Sequence, residues 1–228
     1  KLTSIERAVF QGCNSLQSIE IPQTVTNIGA YAFSGCDSIK EIEISSNVTS
    51  IGKYAFADCT SLENISVASN NKNYMSENGV LFNKSRSIIL SYPAGKKDKE
   101  EYNIPSEVTS IAESSFEGTS LKYIKIPTTV KSIGHSAFAK ASNLQSIEIP
   151  KEVIYIGQDV FAYCYKLIIY VEADSEGHRW AEENGEGYVL DGESTKVSTN
   201  YQLKDEETWD VSLYEDGSAI AKWSLKDR

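Results

Sequence analysis

Short stretches in which apolar and polar residues alternate recur along this chain at a fixed interval. Ile19 and Ile21 alternate with Ser18 and Glu20, the period-two pattern of a half-buried strand. The same Leu-x-x-Ile-x-Ile pattern runs through Leu16–Ile21, Ile39–Ile44, Leu62–Val67, Leu121–Ile126 and Leu144–Ile149. Proline at positions 22, 105, 127 and 150 ends such stretches, because it has no N–H to add to a ladder. Val-x-x-Ile then leads into Ile-Gly-x-x-Ala-Phe at Ile28–Phe33, Ile51–Phe56, Ile133–Phe138 and, with Val before Phe, Ile156–Phe161. Degenerate copies occupy Ile5–Phe10 and Ile111–Phe116, and the copies start 23, 23, 60, 22 and 23 residues apart. Six copies on one period predict a repeat array.

The physics of one unit follows from its pattern. Val25, Ile28, Ala32, Phe33, Cys36, Ile39, Ile42 and Ile44 point inward in a unit of 23 residues. One unit cannot bury them alone, whereas stacked units share a continuous core, so the array is a solenoid. Gly29, Gly52, Gly134 and Gly157 stand where the chain turns sharply or meets a neighbour closely. The Ala-Phe pair opens a one-turn segment whose Phe plugs the core. So short a unit leaves no room for a long helix. The pattern predicts one parallel strand per turn, with 3₁₀ or strand pieces opposite.

The full unit, Leu-x-x-Ile-x-Ile-Pro-x-x-Val-x-x-Ile-Gly-x-x-Ala-Phe-x-x-Cys, resembles the BspA-like leucine-rich repeat over residues 1–171. The resemblance implies a right-handed leucine-rich-repeat solenoid, with a parallel β-sheet on its concave face and short 3₁₀ or strand segments on its convex face. It also implies a secreted or cell-surface bacterial protein that adheres to host or matrix molecules. Glu6 and Ala112 depart from the Gly of the pattern, and Ser115 departs from the Ala.

The 60-residue interval is one period plus 37 extra residues. Asn78-Gly79 is a turn signal, followed by Val80-Leu81-Phe82, a polar Lys84-Ser85-Arg86 turn, and Ile88, Leu90 and Tyr92 alternating up to Pro93. An inserted β-hairpin and a charged loop are expected over residues 68–103. Leu167–Val171 reads as a last strand. A short helix from Ser175 to Asn184, with Ser175 or Asp174 as N-cap and Gly185 as C-cap, would close the open end with Trp180 and Ala181, making residues 172–190 a C-terminal helical cap. Residues 191–228 read as a polar linker over Asp191–Asn200 and then a hairpin whose strands carry Trp209 and Trp223, the expected start of a further module. The chain is expected to continue upstream of Lys1, which lies inside a repeat.

Charge separates these parts. The chain of 228 residues has a formal charge of −10, yet residues 1–171 carry 16 basic and 17 acidic side chains. Residues 172–228 carry 6 and 15. A near-neutral array gives no electrostatic footprint for nucleic acid. The longest apolar run, Leu167–Val171, falls far short of the roughly 20 residues that span a bilayer.

Cys13, Cys36, Cys59 and Cys164 each lie three residues after Phe10, Phe33, Phe56 and Phe161, where Phe116 and Phe138 are followed by Thr119 and Ala141. A position that accepts Cys, Thr or Ala is filled for packing, so these phenylalanines and cysteines form a structural ladder; one disulfide or a metal site are the lesser alternatives. His135 and His178 are the only histidines, and no nucleophile elbow, phosphate loop, His-Glu-x-x-His or paired Cys-x-x-Cys occurs. No catalytic residue, cofactor or metal is expected.

What remains is a surface. The outward strand positions of successive units are Ser18/Glu20, Glu41/Glu43, Asn64/Ser66, Tyr123/Lys125 and Ser146/Glu148. They are the candidate ligand-binding residues of the concave face, with the convex row of Tyr31 and Tyr54 as competitor. The expected function is a non-catalytic, extracellular binding or adhesion module, monomeric, with a host or matrix protein or a glycan as partner. A targeting or spacer domain of a larger cell-surface enzyme is the alternative.

Overall fold

The computed structural model describes residues 1–190 and the backbone of residues 207–213 and 219–225. The alternating stretches form short strands. Ser4–Ile5 (β1), Asn27–Ile28 (β2), Glu41–Ile44 (β3), Ser50–Ile51 (β4) and Asn64–Val67 (β5) precede the long interval. Tyr74–Glu77 (β6), Val80–Asn83 (β7), Ile88–Ser91 (β8) and Glu101–Asn103 (β9) fill it. Ser110–Ile111 (β10), Tyr123–Lys125 (β11), Ser132–Ile133 (β12), Ser146–Ile149 (β13), Tyr155–Ile156 (β14) and Ile168–Val171 (β15) follow, then helix Glu176–Asn184 (α1), Tyr188–Leu190 (β16), Glu207–Leu213 (β17) and Ala219–Leu225 (β18). Residues 1–190 form a β-solenoid of about eight turns, with parallel sheets and this one short helix.

Equivalent residues of successive turns stack in register. The two-residue strands pair as β1-β2-β4 and β8-β10-β12-β14, setting Ile5, Ile28 and Ile51 in one row. The Ile-x-Ile strands pair as β3-β5 and as β9-β11-β13-β15-β16, so that Tyr102, Ile124, Ile147 and Ile169 form another. Residues 16–21, expected as the first Ile-x-Ile strand, form none: the ladder of β3 runs to β5 alone, and Leu16 and Ile19 stay half-buried.

Of the 3₁₀ or strand pieces expected opposite the Ile-x-Ile strands, the two-residue strands are the strand pieces, and at the corner between the two sheets no 3₁₀ piece forms among the described residues. The corner is instead a run of turns with two residues in the left-handed region, such as Tyr31 (φ 59°) and Gly35 (φ 70°), or Ser136 (φ 55°) and Lys140 (φ 59°). Alternate amides close local bonds, from Ala32 N to Gly29 O and from Ser34 N to Tyr31 O. The others reach the next turn: Tyr31 N to Lys53 O (3.1 Å), Phe33 N to Ala55 O (2.9 Å) and Gly35 N to Ala57 O (2.9 Å). A 3₁₀ segment would spend all its amides locally. The left-handed residues, each costing roughly 1–2 kcal/mol when not glycine, free half of them to bind the neighbouring turn.

That neighbour lies very close. A Cβ on Gly52 would sit 2.3 Å from Ala30 N, and one on Gly134 2.6 Å from Glu113 N. Ala112, which takes the glycine place, lines a small space of about 80 Å³ together with Leu90 and Ser114. The eight inward positions from Val25 to Ile44 are all buried. Phe10, Phe33 and Phe56 stack at centroid distances of 5.4 and 5.9 Å. Phe116, Phe138 and Phe161 do so at 5.2 and 5.4 Å.

The long interval is where stacking is interrupted. Asn71 stands 23 residues after Val48 and is fully buried. Its Nδ2 donates to Ser45 O and Val48 O, and its Oδ1 accepts from the amides of Asn73 and Tyr74. The chain then leaves the repeat path. Strands β6, β7 and β8 pair antiparallel in succession. Strand β7 lies between two cores: Leu81 packs with Phe56, Leu62 and Ile65, whereas Val80 and Phe82 pack with Ile89, Tyr92 and Phe116. The repeat path resumes at Ile89, which pairs with Ile111. Tyr92 then occupies the phenylalanine place, donating its amide to Ser115 O (2.7 Å) and stacking on Phe116 at 5.5 Å. The interval therefore hides a further turn, and only the stretch between Tyr74 and Ile89 is added to the array. Across the break, Lys53 bonds Glu113 (2.6 Å) and Lys140 bonds Asp58 (2.8 Å), while Lys140 also bonds Glu117 of the adjacent turn (3.1 Å).

At the other end, α1 crosses from β15 to β16, its N-cap Ser175 accepting from His178 N and Gly185 closing it at φ 68°. Trp180 meets Phe161 edge-on at 5.7 Å and donates its indole N–H to Gly157 O (3.0 Å). The sheet continues one strand past Val171, where sequence reading ended it, because Tyr188–Leu190 adds parallel to β15. Strands β17 and β18 pair antiparallel with Trp209 opposite Trp223. The expected linker over residues 191–200 lies outside the described residues, as do residues 214–218 between the two strands.

Phe138 is fully buried between two stacked rings. Phe138→Ala is therefore expected to destabilise the array by about 3–5 kcal/mol, read as the loss in unfolding free energy in urea.

Candidate functional site

The outward residues of the Ile-x-Ile strands are carried by alternation. In β11, Tyr123 and Lys125 are exposed on either side of buried Ile124. Register sets Glu101 and Ser146 beside Tyr123, Asn103 beside Lys125, and Tyr170 beside Glu148. The Tyr123 hydroxyl donates to Gln145 Oε1 (2.7 Å), which fixes the ring across the face. A shallow hollow of about 450 Å³ lies over Glu101, Tyr123, Lys125, Ser146, Glu148 and Tyr170. Glu101, Asn103 and Tyr170 were not among the residues expected on this face. Their signal was present, since 101 and 103 alternate with Tyr102 and Ile104 before Pro105, and Tyr170 alternates with Ile169 and Val171.

The expected row is not continuous. Glu41 and Glu43 are exposed on β3, and Asn64 and Ser66 half-buried on β5, but these strands form a separate two-stranded sheet. Ser18 and Glu20 are exposed outside any strand. Between β5 and β9 the face opens into a cleft of about 1020 Å³. Tyr92 and Tyr102, meeting edge-to-face at 4.9 Å, line it together with the Asn78–Gly79 turn and the loop from Gly95 to Lys99. Gly95 anchors that loop by donating its amide to Leu62 O (2.8 Å). The lining carries both signs: Lys96 is paired with Asp98 and Arg86 with Glu77 and Glu107, and beside them stand Lys40, Lys97 and Lys99 with Glu41, Glu63 and Glu101.

The opposite row is packed rather than open. Tyr31 and Tyr54 stack at 4.7 Å, both half-buried, with the Arg7 guanidinium over Tyr31 at 5.5 Å. His135 is held between the Tyr155 hydroxyl (3.0 Å) and the Gln158 amide (2.9 Å). His178 accepts from the Asp174 amide and contacts the Tyr188 hydroxyl. Among the described residues, no group of three His, Cys, Asp or Glu side chains gathers as a metal site. No helix among them is long and apolar enough to cross a membrane.

The cysteine column follows the turns. All four thiols are free. Cys36, Cys59 and Cys164 each donate to the phenylalanine carbonyl of the neighbouring turn, at Phe10, Phe33 and Phe138, all at 3.1 Å. Thr119 and Ala141 fill the same place, both buried. Cys13 departs from the buried ladder and is exposed.

A model of the BspA type leucine rich repeat region matches residues 1–94 and 87–172, in six copies. A solved leucine-rich repeat protein from Eubacterium ventriosum is 31% identical over 75% of this chain and 58% of its own, with a TM-score of 0.62. A leucine rich cell surface protein from Faecalibacterium prausnitzii is 26% identical over 89% of this chain and 62% of its own, with a TM-score of 0.67. The pneumococcal vaccine antigen PcpA shares the fold at 24% identity and a TM-score of 0.54, over 75% of this chain and 51% of its own. The chain thus spans about three fifths of the first two relatives. No curated protein matches it.

Burial makes the column chemically quiet. Desolvation pushes the Cys59 thiol up to about 12 and the Cys164 thiol up to about 11, from an ordinary value near 9.0. At pH 8 an exposed-thiol reagent is expected to modify Cys13 and spare Cys59. Because the folded-state value is the raised one, this stabilisation is full below pH 9 and lost as pH rises toward 12. Unfolding free energy should therefore fall from pH 8 to 10.5, and less steeply in Cys59→Ala, measured by urea titration at each pH.

Proposed function

As the chain belongs to the BspA-type leucine-rich-repeat family, we propose that it is a non-catalytic binding and adhesion module acting at the bacterial cell surface. The observation that carries this reading is the run of outward residues on β9, β11, β13 and β15. Tyr123, Lys125, Glu148 and Tyr170 stand exposed and in register on a rigid parallel sheet. Large amphipathic rings beside single charges supply contact area at low entropic cost, and a sheet held on both sides by stacked turns needs little ordering on binding. The likeness to a leucine rich cell surface protein supports a surface location.

The ligand in this reading is a host or matrix protein or a glycan, bound by a monomeric array. The array is taken as right-handed, the hand that parallel crossovers favour, with this sheet on its concave side. Residues 1–171 form the array, with the stretch between Tyr74 and Ile89 inserted into it, and residues 172–190 form its cap. Binding to arrayed matrix proteins and glycans tests the reading. Tyr123→Ala combined with Lys125→Glu is expected to weaken binding at least tenfold without lowering the melting temperature. Unchanged binding removes this face as the site, and hydrolytic turnover by the purified chain would overturn the non-catalytic assignment.

A further inference from the structure

The cleft between β5 and β9 differs in kind from the exposed sheet face, because one of its walls is an unpaired strand edge. Strand β9 is the last strand of its sheet and pairs with β11 alone. Tyr123 N donates to Glu100 O and Ile104 N to Lys125 O, so the main-chain groups of residues 100, 102 and 104 turn toward β11. In a parallel ladder alternate residues turn opposite ways. The N–H and C=O groups of Glu101 and Asn103 therefore face the cleft, and among the described residues nothing pairs with them.

The opposite wall is closed. On β5, Ile65 N donates to Gly79 O (3.0 Å) and Val67 N to the Ser76 hydroxyl (3.0 Å). The insertion thus covers one edge and leaves the other bare. It places β7 and β6 beside β8, but adds no strand to the Ile-x-Ile sheet, whose ladder consequently stops at β5 and restarts at β9. A second observation points to the same place. The Tyr92 side chain lines the cleft, is 2% exposed, and has a buried hydroxyl with no hydrogen-bond partner.

We propose that this cleft is a strand-docking site, in which an extended segment of a partner protein pairs its main chain with the open edge of β9. Main-chain pairing supplies the affinity in such additions, and pockets for alternate side chains supply the selectivity. The bare edge favours a polypeptide over a glycan, since it presents N–H and C=O groups at strand spacing. With Lys40, Lys97 and Lys99 lining the cleft together with Glu41, Glu63 and Glu101, the rim selects neither sign of charge, so the segment is recognised by its backbone and by polar or small side chains. The proposal rests on the reading of the chain as a binding module and names the partner class for one part of its surface.

The test uses the full chain and a phage-displayed random dodecapeptide library, with enriched peptides synthesised and their Kd values measured. Asn103→Pro deletes one cleft-facing N–H and leaves the bonds to β11 in place. It is expected to weaken peptide binding at least tenfold, while Tyr123→Ala/Lys125→Glu changes it less than twofold. Hydrogen exchange on the unmodified chain decides the matter even if the proline variant folds poorly: the amides of Glu101 and Asn103 should gain protection when peptide is added. Failure to enrich a binder, protection elsewhere, or equal binding by a well-folded Asn103→Pro would overturn the docking site. Loss of peptide or glycan binding only through Tyr123 and Lys125 would overturn it too, while leaving the sheet face standing as the binding surface. Failure of both sets of probes would remove both.

Discussion

Everything in this protein depends on one turn lying directly on the next. A single turn is too thin to enclose its own apolar side chains, so the solvent for each turn is its neighbour. Three features answer that demand together. The corner residues adopt left-handed conformations that send alternate amides to the neighbouring turn. Glycine stands where a Cβ would strike the adjacent backbone. The phenylalanine of each regular turn stacks on that of its neighbour at 5.2–5.9 Å. None is strong alone, and all are satisfied by one fixed spacing. That explains why the repeat is legible at all: any residue that disturbed the spacing would disturb hydrogen bonds, packing and backbone contact at once.

The same argument explains what sequence reading could and could not reach. Positions whose side chain touches the neighbouring turn repeat, and there the expectation held: the buried set from Val25 to Ile44, the ring column, and the helix with its Ser175 and Gly185 caps. The hidden turn escaped because its contacts are kept by different residues. Tyr92 does what phenylalanine does elsewhere, and Tyr102 takes the place of an isoleucine. Asn71 replaces a valine, yet its four hydrogen bonds make it a junction rather than a defect. A pattern of residue types cannot show such substitutions, whereas a pattern of spatial register can. Of the expected 3₁₀ or strand pieces only the strands formed, for a related reason. Left-handed backbone shows as glycine at Gly12, Gly35 and Gly118, but Tyr31 and Lys140 carry it with no such mark.

The candidate binding residues were legible as alternation and illegible as a surface. Tyr123/Lys125 and Ser146/Glu148 share a sheet, as their spacing implied, but Glu41/Glu43 and Asn64/Ser66 belong to another. Glu101 and Asn103 extend the first group only because β9 pairs with β11, which depends on how the long interval folds. The charge tells a parallel story. Most of the net −10 belongs to residues 172–228. The ion pairs that matter to the array, Lys53 with Glu113 and Lys140 with Asp58 and Glu117, instead join separate turns, two of them across the break. Bulk charge is silent about both.

The break itself follows from geometry. A solenoid has two sheets that share every turn, so a segment inserted into one must either add a strand to the other or leave it open. Here β6 and β7 join the sheet of two-residue strands, and their alternating side chains seal the core on both sides, Leu81 toward one cluster and Val80 and Phe82 toward the other. The core therefore stays closed, and the mismatch is displaced to the other sheet as unpaired backbone at β9. An edge strand is normally a liability that proteins cover or charge. This one is flanked by Lys99 and Glu101, by a loop tied down through Gly95, and by a turn that covers only the far wall. An opening that the fold could have closed with one more short strand, but instead keeps lined and polar, is the part of the molecule where stacking has stopped dictating the residues.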